Sequence, residues 1–248
     1  MADFWKLVNT VIEQSDLLLL VLDARMPTQT LNKEVVDKVH KAGKPLIYVL
    51  TKSDLAGKEE SERAKKFFRP CVFVSARQYQ GTTMLRERIL IEGKKHYKGK
   101  ESFTVGVLGY PNVGKSTLIN AMKGKHSAPT SPQSGHTRGV QKIKAGNLIM
   151  LLDTPGVIPY HEKDDAKHQL IGTIDFTKAK EPDLAVMELM DLYPGKIEAF
   201  YGVDVDKDKD AVLETIALKR RMLEKGGGAD TPRMARQILR DWQEGVIR

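Results

Sequence analysis

The chain has 248 residues, of which 41% are hydrophobic and 29% are charged, a balance typical of a globular protein. Its longest apolar run, Leu17–Leu22, is too short to cross a bilayer, and the N-terminus lacks the features of a signal peptide. The single cysteine, Cys71, cannot form an intramolecular disulfide. These features exclude a membrane-spanning or disulfide-stapled protein and favour a cytoplasmic one.

The net charge is +8, and the basic excess lies in the first 158 residues, whereas residues 159–248 are slightly acidic. A basic excess favours association with a polyanion such as RNA. A solvated, lysine-rich surface explains the same charge equally well. If the chain binds RNA, we expect the first two thirds of the sequence to make the contact.

Apolar runs alternate with amphipathic stretches through the first 160 residues. Strands are predicted at Leu17–Leu22, Pro45–Leu50, Cys71–Val74 and Phe103–Leu108, and helices at Leu31–Lys41, Glu59–Phe68, Thr83–Ile91 and Lys115–Met122. Such β-α-β alternation predicts a doubly wound α/β fold, a parallel sheet with helices on both faces. The polar stretch Glu92–Glu101 reads as an exposed connection.

The sequence changes character further along. Ser127–Thr137 is predicted to be a mobile loop, and Val140–Ala145 and Leu148–Leu152 form a hairpin around Gly146-Asn147. Beyond it, apolar residues recur with helical spacing in three sets: Leu184, Met187 and Met190; Val212, Ile216 and Leu223, ended by Gly226–Gly228; and Ala235, Ile238, Leu239 and Trp242, started by Thr231-Pro232. We predict an α/β domain over residues 1–162 and a small all-α domain over residues 163–248.

A phosphate-binding pattern, G-x-x-x-x-G-K-S, spans Gly109–Ser116 between a predicted strand and a predicted helix. Backbone N–H groups of such a loop surround the β-phosphate. Lys115 adds a positive charge between the β- and γ-phosphates, and the Ser116 hydroxyl binds Mg²⁺. The residues predicted to contact the phosphates are Tyr110, Pro111, Asn112, Val113, Gly114, Lys115, Ser116 and Thr117.

Asp153-Thr154-Pro155-Gly156 follows the next predicted strand. An aspartate at a strand end can hold the Mg²⁺ shell, and the Gly156 N–H can reach the γ-phosphate. Thr137, inside the predicted loop, is the expected second hydroxyl ligand to Mg²⁺. Lys115, Thr137 and Gly156 are therefore the expected catalytic residues.

Thr51-Lys52-Ser53-Asp54 follows a predicted strand in the first part of the chain. The Asp54 carboxylate can accept two hydrogen bonds from guanine N1–H and N2–H₂, which adenine cannot supply. The Lys52 stem can lie along the base. Ser75-Ala76-Arg77 follows the next strand, where the Ala76 N–H can meet guanine O6. The predicted nucleotides are therefore GTP and GDP.

These motifs resemble those of the translation-factor-related GTPases, but the two base-reading motifs precede the three phosphate-reading ones. That order resembles the circularly permuted GTPases of the YlqF/YawG (RbgA-like) type. Asp23-Ala24-Arg25 resembles this family's opening motif, and Leu192–Gly195 and Ile238–Asp241 resemble its C-terminal region. The resemblance implies GTP hydrolysis during assembly of the large ribosomal subunit, with a helical domain that contacts ribosomal RNA, and no membrane or DNA partner.

Several positions depart from the motifs. Thr51 stands where Asn usually braces the phosphate loop, which predicts modest affinity, and Arg77 replaces the usual Lys. Val157 stands where GTPases commonly carry the glutamine that orients water. The resemblance offers K⁺ beside Asn112 as a substitute charge, although Asn112 can simply shape the loop. Residues 1–15 lack the histidine of the bacterial branch, and His136 is a weaker candidate for its role.

Without a group that visibly accelerates hydrolysis, the sequence favours a slow GTPase that acts as a switch. Two alternatives remain: a nucleotide-dependent RNA-binding scaffold with little hydrolysis, and a GTPase in RNA modification.

Overall fold

The computed structural model describes residues 2–123, 140–154, 156, 165–173 and 176–247, and the predictions for Ser127–Thr137 and Val157 concern residues outside these ranges. The chain divides into two compact units, Met1–Glu162 and Lys163–Arg248. No helix in the described ranges is both long enough and apolar enough to cross a bilayer.

The first unit is built on one sheet with six strands in the described residues. The strands are β1 (Leu17–Asp23), β2 (Leu46–Thr51), β3 (Cys71–Val74), β4 (Phe103–Leu108), β5 (Gln141–Lys144) and β6 (Ile149–Asp153). Their order is β3-β2-β1-β4-β6-β5, with β5 antiparallel to β6 and the other neighbours parallel. The chain leaves β1 toward β2 on one side and leaves β4 toward β6 on the other, which confirms the predicted doubly wound α/β fold.

β1 lies in the middle of the sheet, and all seven of its residues are buried. An uninterrupted apolar run is typical of a parallel strand covered on both faces, which is why this strand could be read from sequence. The helices of this unit are α1 (Ala2–Gln14), α2 (Lys33–Lys41), α3 (Lys58–Phe67), α4 (Thr82–His96) and α5 (Lys115–Lys123).

Two features of these helices differ from the sequence predictions. No helix was predicted before β1, yet α1 forms there and buries Val8, Val11 and Ile12. The stretch Glu92–Glu101 was predicted as a connection, yet α4 continues to His96. Gly93 is buried on α4, where a Cβ would lie 2.7 Å from the Phe103 ring, so this glycine is needed for helix packing and does not mark a loop.

The second unit is helical in its described residues, as predicted from its periodicity. Its helices are α6 (Asp165–Leu170), α7 (Pro182–Leu192), α8 (Lys196–Tyr201), α9 (Lys209–Lys219) and α10 (Thr231–Glu244). Ala235, Ile238, Leu239 and Trp242 form the buried face of α10.

Three details of that prediction are wrong. Leu184 was assigned to the buried face of α7 but is 47% exposed, because Ala185, Val186 and Leu189 face the core instead. Helix α9 ends at Lys219, well before the three glycines, so Leu223 lies outside it and is exposed. The N-cap of α10 is Asp230, whose carboxylate accepts the Arg233 N–H at 3.1 Å, so Thr231 is already the first helical residue.

Candidate nucleotide-binding site

The predicted site residues lie at one edge of the sheet. Strands β1, β2, β3, β4 and β6 run parallel, so their carboxyl ends share that edge. Each end leads directly into one predicted motif: Asp23-Ala24-Arg25, Thr51–Asp54, Ser75–Arg77, Gly109–Ser116 and Asp153–Gly156. The edge lies where the strand order reverses between β1 and β4, the position at which open α/β sheets bind ligands.

The loop after β4 has the backbone conformation that a phosphate cradle needs. Gly109 and Gly114 have φ values of 151° and 96°, and Asn112 is left-handed at φ 61°. A Cβ on Gly109 would lie 2.6 Å from the Val21 carbonyl oxygen of the neighbouring strand, so only glycine fits there. Ser116 and Thr117 are exposed at the start of α5, while Tyr110 and Val113 are buried beneath the loop.

Lys115 lies under this loop with its ammonium group already bound. Its Nζ donates to the carbonyl oxygens of Gly109 at 3.0 Å and Tyr110 at 2.5 Å, which holds the charge at the centre of the loop. Burial lowers the pKa of Lys115 to about 8, against the attraction of Asp153. The lysine is therefore held near the position where phosphate oxygens would accept its protons.

The Asp153 carboxylate has a feature that fits a bound Mg²⁺ hydrate. Its Oδ1 atom is buried and has no hydrogen-bond partner among the described residues. Burial raises the pKa of Asp153, and the neighbouring Lys115 opposes that rise. A buried carboxylate oxygen without a partner is costly, and a metal-bound water would satisfy it. Asp153 and Ser116 therefore fit a magnesium site. Mg²⁺ bound there would neutralise part of the negative charge of the phosphates.

Gly156 lies directly against the phosphate loop. A Cβ at this position would come within 2.5 Å of the Pro111 nitrogen and 2.6 Å of the Pro111 Cα. The segment after β6 and the loop after β4 thus touch through a glycine, and no side chain fits between them. This contact brings the Gly156 backbone to the side of the loop where a γ-phosphate would lie.

The base-reading residues lie on two loops after β2 and β3. Asp54 is exposed on a single 3-10 turn, Ser53–Leu55. The loop Ser75–Gln80, which contains Ala76 and Arg77, is closed by two backbone hydrogen bonds between its ends, at 3.1 Å and 3.0 Å. The Ser75 hydroxyl is buried without a hydrogen-bond partner in the described part of the chain.

Thr51 connects the base side and the phosphate side of the site. Its buried hydroxyl lies 2.9 Å from the Leu22 carbonyl oxygen and also contacts the Val113 carbonyl oxygen of the phosphate loop. With one proton, the hydroxyl donates to one carbonyl at a time. The Thr51 hydroxyl therefore contacts the loop that an asparagine usually braces, and the modest affinity expected at this position stays a prediction.

Asp23 is the residue whose contacts sequence reasoning missed. The sequence marked it only through a resemblance, yet its buried carboxylate binds Arg25 and Lys52, each at 2.8 Å. Burial alone would raise the pKa of Asp23, but these two cations outweigh that effect and hold the pKa well below its usual range. The paired register of Asp23 with Thr51 on neighbouring strands creates the contact.

Of the predicted site residues, Thr137 lies outside the described residues, as do the neighbouring candidate His136 and the departure at Val157. The other predicted contacts all lie at the same edge of the sheet.

A phosphate-binding loop after a central strand, with base motifs earlier in the chain, defines a nucleotide-binding protein of the circularly permuted GTPase class. The model of the RsgA GTPase family matches residues 5–161, more than half of the chain, and the chain belongs to this family. A second model, described as 50S ribosome-binding GTPase, matches residues 104–223. The resemblance inferred from motif order is thereby confirmed.

Relatives in three kingdoms align with nearly the whole chain. An uncharacterised GTP-binding protein of Methanocaldococcus jannaschii is 40% identical over 247 residues. The guanine nucleotide-binding protein-like NSN1 of Arabidopsis thaliana is 32% identical, and nucleolar GTP-binding protein 2 of Neurospora crassa is 31% identical. Each alignment covers 98% of this chain but only 65%, 47% and 40% of the respective relative.

Two solved structures share the fold. GNP-bound YlqF from T. maritima has a TM-score of 0.65 at 20% identity, covering 98% of this chain and 94% of that one. The GDP-bound structure of the same protein has a TM-score of 0.64 at 21% identity, covering 96% and 94%.

Proposed function

We propose that the chain binds GTP with Mg²⁺ and hydrolyses it to GDP and phosphate. The observation that carries this proposal is the meeting of base and phosphate motifs at one sheet edge, joined by the Thr51 hydroxyl at Val113. Family membership supports the same activity. The base-reading contacts are Asp54 to guanine N1–H and N2–H₂ and Ala76 N–H to O6, flanked by the Lys52 stem, Ser75 and Arg77.

The phosphate contacts follow from the loop geometry. Backbone N–H groups of the loop and Lys115 Nζ neutralise charge on the β- and γ-phosphates as the terminal phosphate departs. The Ser116 hydroxyl would coordinate Mg²⁺, Asp153 would hold its water shell, and Thr137 would be the second hydroxyl ligand. The Gly156 N–H would donate to the γ-phosphate. In this reading Lys115, Thr137 and Gly156 are the catalytic residues.

Hydrolysis by the isolated chain is proposed to be slow. Valine at position 157 cannot hydrogen-bond to the attacking water, so another group must orient it. Asn112, left-handed in the phosphate loop, is the residue at which K⁺ would add positive charge next to the phosphates. GTP turnover measured in KCl and in NaCl tests the proposed role of K⁺. A higher rate in KCl supports that role, and equal rates in the two salts contradict it.

We further propose that the partner is the large ribosomal subunit, bound through its RNA while the protein carries GTP. Names among the relatives support a nucleolar GTPase role in eukaryotes, and a family model with a matching segment is described as 50S ribosome-binding. The second unit is proposed to contact ribosomal RNA. The protein is proposed to act where pre-ribosomal particles are assembled, which is the cytoplasm in a cell without a nucleus and the nucleolus in a cell that has one.

The charge on the first unit supports an RNA partner. Helices α2, α3 and α4 all end at the sheet edge opposite the nucleotide site, and their final turns are basic. We call this surface the basic edge and define it by its exposed lysines Lys41, Lys65, Lys66, Lys94, Lys95 and Lys98. Favourable interaction with helix dipoles explains the lysines in the last turns of the helices. It does not explain Lys98, which lies beyond the end of α4. The two edges lie about 20 Å apart, so RNA and GTP can be bound together.

Co-sedimentation with purified large ribosomal subunits tests the partner. We expect binding with a non-hydrolysable GTP analogue, weaker binding with GDP, and faster turnover of GTP when subunits are added. The double variant Lys94→Gln/Lys95→Gln should weaken binding and reduce its salt dependence, while the matched control Lys33→Gln/Lys58→Gln should not. If the subunits neither co-sediment with the GTP-loaded protein nor raise its turnover, the ribosomal assignment fails. Binding without any turnover would favour the scaffold alternative.

A further inference from the structure

Asp23 and Arg25 form a buried cluster with Lys52 beside the base-reading loop, and neither of these two residues has a role in the function proposed above. We propose that Asp23 is a positioning residue for base recognition, which fixes the Lys52 ammonium so that the lysine stem is held along the guanine ring. This inference rests on the proposed GTP binding and deepens it. Its support is the geometry of three side chains on neighbouring strand ends.

The Asp23 carboxylate is fixed before it meets Lys52. Arg25 donates to Oδ1 from its backbone N–H and from Nε, both at 3.0 Å, and to Oδ2 from Nη2 at 2.8 Å. A guanidinium that binds both oxygens in this way allows the carboxylate only one orientation. The Asp23 N–H donates to the Thr30 hydroxyl at 3.1 Å, so its backbone is held as well.

Lys52 is the residue that this carboxylate can direct toward the base. Its Nζ lies 2.8 Å from Asp23 Oδ2, while a quarter of its side chain remains exposed at the site. Its backbone is left-handed at φ 54°, a conformation that residues with a side chain seldom adopt. Lys52 lies between Thr51, which contacts the phosphate loop, and the turn that carries Asp54, so its conformation affects both.

The charges around Lys52 explain why its side chain needs the ion pair with Asp23 to stay beside the base-reading loop. Burial lowers the pKa of Lys52, Asp23 opposes that effect, and Arg25 and Arg77 repel the ammonium. Asp23 is the carboxylate that contacts both Lys52 and Arg25, and it offsets their mutual repulsion. Without it, we expect the Lys52 side chain to move toward solvent and away from the base.

The test separates positioning from a purely structural ion pair. Asp23→Asn should raise the Kd and the KM for GTP about tenfold while kcat at saturating GTP stays within about twofold. Because the Lys52 stem can contact any purine ring, Asp23→Asn should raise the Kd for GTP and the Kd for ITP by the same factor. Asp54→Asn, in contrast, should reduce the preference for GTP over ITP.

A double-mutant cycle identifies Lys52 as the intermediary. Lys52→Met should raise the Kd for GTP to a similar extent. Adding Asp23→Asn to the Lys52→Met variant should then change this Kd little. Asp16→Asn is the matched control, because Asp16 is also a partly buried carboxylate bound to a lysine, Lys100, but at the opposite edge. It should leave the Kd unchanged.

Three results would overturn the inference: a folded Asp23→Asn variant with the wild-type Kd, a loss of kcat at unchanged Kd, or additive effects of the two substitutions. If Asp23→Asn does not fold, Lys52→Met carries the test, and a wild-type Kd in that variant refutes the positioning role. Failure of GTP binding itself appears separately, as a wild-type protein that does not prefer GTP over ATP.

Discussion

Thr51 shows how one hydroxyl can couple two halves of a nucleotide site. It stands on β2, just before the base-reading turn, and its oxygen contacts the Val113 carbonyl of the phosphate loop. A Cβ on Gly114 would lie 3.4 Å from the same hydroxyl oxygen, so the loop packs closely on this side chain.

Replacing Thr51 with valine should test that contact with little change in shape. Thr51→Val removes the hydroxyl proton that the Leu22 and Val113 carbonyls share, so we expect the free energy of unfolding to fall by about 1 kcal/mol and the Kd for GTP to rise about fivefold. Urea unfolding and equilibrium nucleotide binding measure the two effects. Thr10→Val is the control, since the Thr10 hydroxyl makes an exposed hydrogen bond to the Lys6 carbonyl oxygen within α1, away from the nucleotide motifs. Equal effects of the two substitutions on the Kd would contradict the account.

The Asp23 ion pair should make stability depend on acid pH. The pKa of Asp23 is lower in the folded protein than the usual 3.8. Its contribution to the free energy of unfolding is therefore complete above that pH and is lost as the pH falls below it. Between about pH 5 and about pH 3, the wild type should lose more stability than Asp23→Asn, by up to about 1.4 kcal/mol per pH unit below the unfolded pKa. Urea unfolding at several pH values measures this, and parallel curves for the two proteins would refute it.

At the level of elements, α1 covers the sheet through a close approach to β4. A Cβ on Gly106 would lie 2.5 Å from Leu18 Cδ1, 2.6 Å from Ser15 Oγ and 2.7 Å from Val11 Cγ1. The glycine in β4 thus makes room for the end of α1 and the start of β1. This contact places the helix over the strand that leads into the phosphate loop.

Filling that space should destabilise the first unit. Gly106→Ala is expected to lower the free energy of unfolding by about 1–3 kcal/mol, because the added methyl group overpacks a site closed on three sides. Gly226→Ala is the control, since its Cβ would meet nothing within 4 Å, and it should change stability by less than about 0.5 kcal/mol. Thermal or urea unfolding of both variants gives the comparison. A neutral Gly106→Ala would mean that α1 does not pack here as described.

The central strands were predictable because they are mainly apolar runs that end at a polar motif, as Leu17–Asp23 illustrates, whereas polar β5 (Gln141–Lys144) was predictable only from the hairpin turn beside it. Helix α1 was not predicted although Val8, Val11 and Ile12 have helical spacing, because polar residues surround these three positions and make the apolar pattern short. The end of α4 was misplaced because Gly93 was read as a loop residue, while its actual role depends on Phe103 in the next strand.

Some contacts in the candidate site could likewise be predicted from the sequence, and others could not. Phosphate and base contacts were predictable, because local motifs carry them. The contact of Asp23 with Lys52 was not, because it joins residues on two strands and depends on their register.

At the scale of the whole molecule, the first unit carries two distinct surfaces at opposite edges of its sheet. The carboxyl edge of the sheet carries the motifs for nucleotide, and the opposite edge carries the exposed lysines at the ends of α2, α3 and α4. A protein arranged in this way can hold GTP and a polyanion at once. The proposed switch requires only that the two nucleotide states differ in affinity for that partner.

The central claim is that base and phosphate motifs, supplied in permuted order, form one guanine-specific site. Equilibrium binding of GTP and ATP to the wild-type protein with Mg²⁺ tests it most directly. We predict a Kd for ATP at least about a thousandfold higher than for GTP, because adenine leaves the Asp54 carboxylate without its donors. Equal affinities for the two nucleotides would contradict the claim.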